Sequence, residues 1–215
     1  PGPCRFGQYN VYAKRLISKF QIDNVAVFSP SSKNCYGGLG IDVSLSAWYS
    51  IIIGDLFNEI WSTILAGAVD KAKSLALFHQ CYDSVLNVIN RDWRTISSQL
   101  KQCAIELSKI ELIRPYSEIP KISLVGEIYV RHDPVSLQKL VERMAAKGFI
   151  VRTAENSEWI KYLDWLISND ILGSKSMGFR VLKWAKKRAY STIRNLLAPS
   201  GLFYEGDMEV RHVVN

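Results

Sequence analysis

The sequence predicts an α/β fold, a Rossmann-like and mostly parallel sheet flanked by helices, with a helical layer inserted between its sheet-bearing parts. Three observations carry the prediction. Residues 121–151 read as one βαβ unit: Ile122, Leu124 and Val125 supply strand-like bulk, Leu137, Leu140, Val141 and Met144 recur at helical spacing, and Phe149, Ile150 and Val151 return as a strand. Residues 8–29 pair a helix with a second short strand, and residues 41–114 carry helical patterning without strand signals. The expected organisation is therefore a sheet-bearing domain over 1–40 and 115–200, a helical insertion over 41–114, and a C-terminal tail over 201–215.

Each element has a local reason. From Gln8 to Phe20, Val11, Tyr12, Leu16, Ile17 and Phe20 form an apolar stripe, with Lys14, Arg15 and Lys19 outside it. Val25, Val27 and Phe28 make a strand over 24–29, closed by Pro30. In the loop 31–40, Gly37, Gly38 and Gly40 either form a tight turn or let the backbone approach a ligand. Residues 44–66 are apolar enough to raise a membrane span, but Asp55 and Glu59 interrupt them, and a central carboxylate costs about 3 kcal/mol on insertion scales. A buried or partner-facing helix is expected instead. Residues 68–112 continue as two further helices, the second capped by Asp92, and Pro115 and Pro120 mark the return to the sheet.

After Val125, Gly126 permits a sharp turn, and Pro134 excludes helix at Asp133 while permitting it from Ser136 to Lys147, where Gly148 stops it. Asn156-Ser-Glu158 offers an N-cap for a helix through Trp159, Tyr162, Leu163 and Leu166, which Gly173 breaks. A basic helix from about Lys175 to Leu197 follows, ended by Ala198-Pro-Ser-Gly201. The tail either caps the domain or marks the cut end of a larger protein.

Composition narrows the function classes. With 48% hydrophobic residues the chain has a core to bury, which excludes a disordered class. A net charge of +7 and a pI near 9.2 invite a nucleic-acid partner, but no recognition module accompanies the charge. Much of the excess lies in Arg180, Lys183, Lys186, Lys187, Arg188 and Arg194, which read as one solvated helix face. Nucleic acid and membrane are accordingly not expected as partners. Four cysteines, at 4, 35, 81 and 103, show no C-x-x-C pairing and no histidine at metal spacing, so zinc is not expected and a reducing cytoplasm is. Cys81 and Cys103 lie in helical stretches and read as buried small hydrophobes. Cys4 lies among prolines and glycines beside Arg5, and an adjacent cation favours the thiolate that ligates iron. Cys35, beside Tyr36 and two glycines, is the second loop thiol.

In open α/β sheets ligands bind at the carboxyl ends of strands, which brings Glu127, Arg131, His132 and Asp133 into view. Glu127 either contacts a ligand, caps the following turn or pairs with Arg131. Arg131 binds a carboxylate or phosphate bidentately or is structural. His132 beside Asp133 is an oriented acid–base group or closes a turn. His79 and His212 have no partner in sequence. No nucleophile elbow, H-E-x-x-H or phosphate loop is present, so no residue is assigned a catalytic role.

The strings Gly2-Pro-Cys-Arg-Phe-Gly-Gln-Tyr9, Tyr36-Gly-Gly-Leu-Gly40 and Val125-Gly-Glu-Ile-Tyr-Val-Arg-His-Asp-Pro134 carry a resemblance. The chain resembles the acyl-CoA dehydratase activase-related proteins, whose long chains include a domain similar to the iron–sulfur component of 2-hydroxyglutaryl-CoA dehydratase. The likeness covers residues 2–40 and 121–165, with 41–120 matching only as a helical region; the family's greater length makes this chain look like a C-terminal piece. The resemblance implies a part in anaerobic radical dehydration or reduction of acyl-CoA thioesters, with a four-iron four-sulfur cluster in the full-length protein and Cys4 as a cluster ligand; Cys35, from its loop position, and Glu127 and Arg131, from the strand end, are further cofactor-site candidates. A cluster needs about three or four thiolates, so this chain alone is not expected to hold one. The dehydratase components place Gly-Cys where this chain has Gly126-Glu127, so no ligand carries over at that strand. Partners implied are the other domains of the longer chain and acyl-CoA, with a homo-oligomer left open.

Overall fold

A computed structural model describes residues 8–28, 40–171, 177–204 and 206; Cys4, Cys35, Gly37, Gly38, Gly173 and most of the tail lie outside these residues. The chain divides into two units, 1–45 and 46–215. In the first, α1 (Tyr9–Lys19) forms as expected but buries none of its residues, and Tyr9, Val11, Tyr12 and Phe20 are exposed. The strand expected over 24–29 is corrected: residues 24–28 are irregular, Asn24 has φ of 60°, and Val25 and Phe28 are exposed. A strand needs a ladder partner and a face to bury. The described residues supply neither here.

The second unit is built on α2 (Gly40–Gly67) from Ser46 onward, α3 (Lys71–Leu86), α4 (Trp93–Leu107) and α8 (Met177–Leu197). Ile52, Leu56, Phe57, Ile60 and Ile64 of α2 pack with Phe78 and Val85 of α3, Ile96, Leu100 and Leu107 of α4, and Ile193 and Leu197 of α8 in one core. α2 is apolar on most sides because neighbours cover it on most sides. Among the described residues no helix is long and apolar enough to cross a membrane. Phe57 anchors an aromatic cluster, its ring centroid 5.7 Å from that of Phe78 and 5.6 Å from that of Tyr82. Asp70 caps α3 by accepting from Lys73 N at 3.0 Å, and Asp92 caps α4 by accepting from the backbone amides of Arg94 and Thr95, the role its position predicts. The helices expected as an insertion thus form the main core, joined by the basic helix from the other end of the chain.

The predicted βαβ unit is present. β1 (Lys121–Leu124) and β2 (Ile150–Thr153) pair in parallel from Lys121 opposite Ile150 to Leu124 opposite Thr153. They form the one sheet among the described residues, so the architecture is largely helical with a small two-stranded parallel sheet; the wider Rossmann-like sheet is not among those residues. The crossover, expected as one helix over 136–147, is instead split into α5 (Pro134–Leu137) and α6 (Leu140–Ala145) by Gln138 and Lys139, both left-handed with φ of 47° and 59°. Each such residue costs about 1–2 kcal/mol. The bend sets Ala145 into a second small core with Ala66, Ile119 and Ile150. Gly148, with φ of 81°, ends α6 where its sequence position predicts.

The sheet is docked onto α2 by a polar stripe. Asp55, Glu59 and Ser62 are spaced by four and three residues and so share one helix face. Ser62 Oγ accepts from Val151 N of β2 at 2.8 Å, and Glu59 Oε1 lies 3.1 Å from Arg152 Nε while also accepting from Tyr116 OH and from Tyr204 N at 3.1 Å. Burial and the neighbouring Glu59 charge push the Tyr116 hydroxyl up, keeping it a protonated donor.

Candidate functional site

Both strands end in loops that run towards α2. After β1, Gly126 takes φ of 129°, a region closed to most side chains, and the chain turns back. Glu127 Oε2 accepts from Val130 N at 2.9 Å, and Arg131 N donates to the Glu127 carbonyl at 3.1 Å, so the carboxylate holds the turn. Arg131 is buried: its Nη1 donates to Gly126 O at 2.7 Å and its Nη2 to Glu155 O at 3.4 Å. It clamps the loop after β1 to the loop after β2. Of the candidates read from this stretch, only His132 lines the adjoining cleft; Asp133 instead caps α5 through Ser136 N.

α7 (Asn156–Ser168) starts where β2 ends, and its N-terminus is capped from outside the segment. The expected cap at Asn156-Ser-Glu158 is corrected: Asn156 is already helical, the preceding Glu155 makes no side-chain cap, and Asp55 of α2 accepts from Asn156 N and Ser157 N at 2.9 Å each. The Glu155 carboxylate is engaged elsewhere, with Arg194 Nη1 at 3.0 Å, Tyr190 OH at 2.8 Å and Ser157 Oγ at 2.9 Å. Taking the cap role would leave the buried Arg194 charge unpaired.

The resulting cleft has a volume of about 650 Å³, and Asp55, His79, Tyr82, His132, Asn156 and Trp61 are among the residues lining it. That is the size range of small-molecule sites, and its mixture of aromatic wall and few polar groups is their usual make-up. Asn156 joins its two titratable ends: Nδ2 lies 3.2 Å from Asp55 Oδ1 and 3.1 Å from His132 Nε2. Among the described residues its Oδ1 is buried without a hydrogen-bond partner. Burial pushes the Asp55 carboxyl up to about 6, opposed by the amides of Ser157 and Asn156 and reinforced by the charge of Glu155. Burial, and then the Arg131 cation, hold His132 below the usual imidazole range. Near neutral pH the cleft thus offers a neutral imidazole and a carboxyl within reach of either protonation state, able to hydrogen-bond and exchange protons with a carbonyl or hydroxyl ligand.

Asp55, His79, Tyr82 and Asn156 escaped sequence reasoning as site residues. Asp55 carried a signal, a carboxylate one helical turn from Asn58 inside an apolar run. His79 carried none. Among the described residues no three His, Cys, Asp or Glu side chains converge on a metal position. Cys81 and Cys103 are buried between α3 and α4, with Cys103 Sγ 3.5 Å from Cys81 O and 3.5 Å from Ser84 Oγ. The interaction between the two thiols pushes Cys81 up and holds Cys103 down. This donor set does not fit a four-iron four-sulfur cluster, and Cys4 and Cys35 lie outside the described residues. No family model, curated protein or solved structure matches the chain.

Proposed function

We propose that this chain is the iron–sulfur-associated domain of a cytoplasmic acyl-CoA dehydratase activase-like protein, acting in anaerobic radical dehydration or reduction of acyl-CoA thioesters. In this reading β1, α5, α6 and β2 are a Rossmann-like unit, and Cys4 ligates the cluster of the full-length protein. One observation supports it above the others: the string 125–134, which carries the resemblance, delivers His132 to a cleft at the carboxyl ends of the parallel strands, where α/β proteins bind ligands. His132 orients the ligand carbonyl by donating a hydrogen bond, and the aromatic wall excludes water. The test is to express the uncut chain without oxygen beside its Cys4→Ser variant and to measure iron, sulfide and acetyl-CoA binding. Iron and sulfide are expected in the parent and diminished in the variant, with acetyl-CoA affinity lowered about tenfold by His132→Ala. An iron-free, colourless parent after reconstitution overturns the cluster assignment.

A second reading, a noncatalytic ligand-binding or interaction module, is favoured by the commitment of Glu127 and Arg131 to holding loops. Acetyl-CoA binding that persists in an iron-free parent, without turnover, selects it.

A further inference from the structure

We infer that the groove between the end of α7 and the N-terminal half of α8 binds a nucleoside phosphate, with Arg180, Lys183 and Lys187 taking the phosphates and Trp184 the base. This inference does not rest on the acyl-thioester reading and concerns a separate set of residues. The groove has a volume of about 460 Å³ and is lined by Ser168, Phe179, Arg180, Lys183, Trp184 and Lys187. The three cations occupy positions i, i+3 and i+7 of α8, one continuous stripe, with Trp184 four residues after the first and three before the last.

The bland alternative is a solvated basic face. Two features argue against it. α8 has six basic residues and no acidic one, yet they are not used alike: Lys186 pairs with Asp164 at 2.6 Å and Arg194 with Glu155 at 3.0 Å, both turned into the protein. Arg180, Lys183 and Lys187 line the groove, with Lys183 Nζ donating to Ser168 Oγ at 2.6 Å, and like charges one turn apart repel unless an anion joins them. The second feature is Trp184, 63% exposed in the midst of these cations, with the Arg188 guanidinium 5.6 Å from its ring centroid. An indole held open beside phosphate-binding cations is a stacking platform, and every base has a π-face to lay on it. Charge complementarity asks for a polyanion and the ring for a planar aromatic; a nucleoside phosphate is the class that carries both. Met177, Val181 and Trp184 are also exposed at spacings of four and three residues, the apolar stripe a membrane surface would use, so the vesicle arm of the test separates the two.

The test titrates the full chain with ADP, pyrophosphate and adenosine by calorimetry and tryptophan fluorescence. ADP is expected to bind about tenfold more tightly than either part alone, and Trp184→Phe to abolish the fluorescence change and weaken ADP about tenfold. The triple variant Arg180→Gln/Lys183→Gln/Lys187→Gln, checked for folding by circular dichroism, is expected to lose ADP and pyrophosphate together; should it fail to fold, Lys187→Gln alone is expected to flatten the salt dependence of ADP binding. Equal ADP affinity in parent and charge variants overturns the inference, as does a parent that ignores ADP but sediments with phosphatidylserine vesicles.

Discussion

The helical core and the strand-end cleft share α2 but are stabilised by opposite means. Towards α3, α4 and α8, α2 presents Ile52, Leu56, Phe57, Ile60 and Ile64, each at most 1% exposed, and stability there is spread over many interchangeable contacts. Towards the sheet and α7 it presents Asp55, Glu59 and Ser62, each bonded to a specific partner. A dry interface tolerates exchanges of similar volume, whereas a polar one does not, because removing one partner strands the other. The molecule therefore joins a rigid, degenerate body to a seam whose geometry depends on single residues, and the cleft opens on the seam.

The strongest way to test that contrast is to break one polar partnership. Arg194→Met should destabilise the fold by about 3–5 kcal/mol in urea unfolding, because Glu155 remains buried without its cation. Adding Glu155→Gln should restore part of the loss; a single variant no weaker than the double would show that the pair is not stabilised as described. In the core, Leu100→Ala should cost about 3 kcal/mol from lost transfer and a cavity, while Leu100→Met should cost under about 1.5. An equal penalty for both would make the core as specific as the seam.

A smaller effect is expected from pH. The Asp55 carboxyl lies at about 6 in the folded protein against 3.8 unfolded, so the folded chain binds more protons between these values and stability falls as pH rises through them. The swing is at most about 3 kcal/mol, less where solvent screens the group. Asp55→Asn should flatten the stability profile over that window; an unchanged profile would place the titration elsewhere. Smallest is the crossover between the strands, where Gln138→Gly should gain about 1 kcal/mol in thermal unfolding by relieving a left-handed residue.

How far the sequence was legible follows the range of the interactions. Asp92 caps a helix a few residues away, Gly148 stops one, and Pro120 precedes a strand; all three act locally and were read where they act, whereas Asp133, read as orienting His132, caps α5 instead. The βαβ unit was legible for the same reason, its strands and turns being punctuated within thirty or so residues. The strand over 24–29 failed because β-branched residues report a preference for a pleated, half-buried surface rather than the existence of one. The N-terminal cap of α7 failed because the capping carboxylate is supplied by Asp55, about a hundred residues earlier in the chain.

Local chemistry, then, already determined the helices outside the crossover, the parallel pair, the burial of the α2 region and the turn at Gly126, since each follows from spacing and from the backbone freedom of a few residues. Folding in three dimensions settled which partners those elements received: that Asp55 caps α7, that Arg131 clamps two loops, and that His79, His132 and Asn156 line one cleft. A polar side chain announces in sequence only that it requires a partner. Burial beside one particular amide, cation or ring decides which, because the penalty for leaving a buried group unpaired is set by the whole packed neighbourhood.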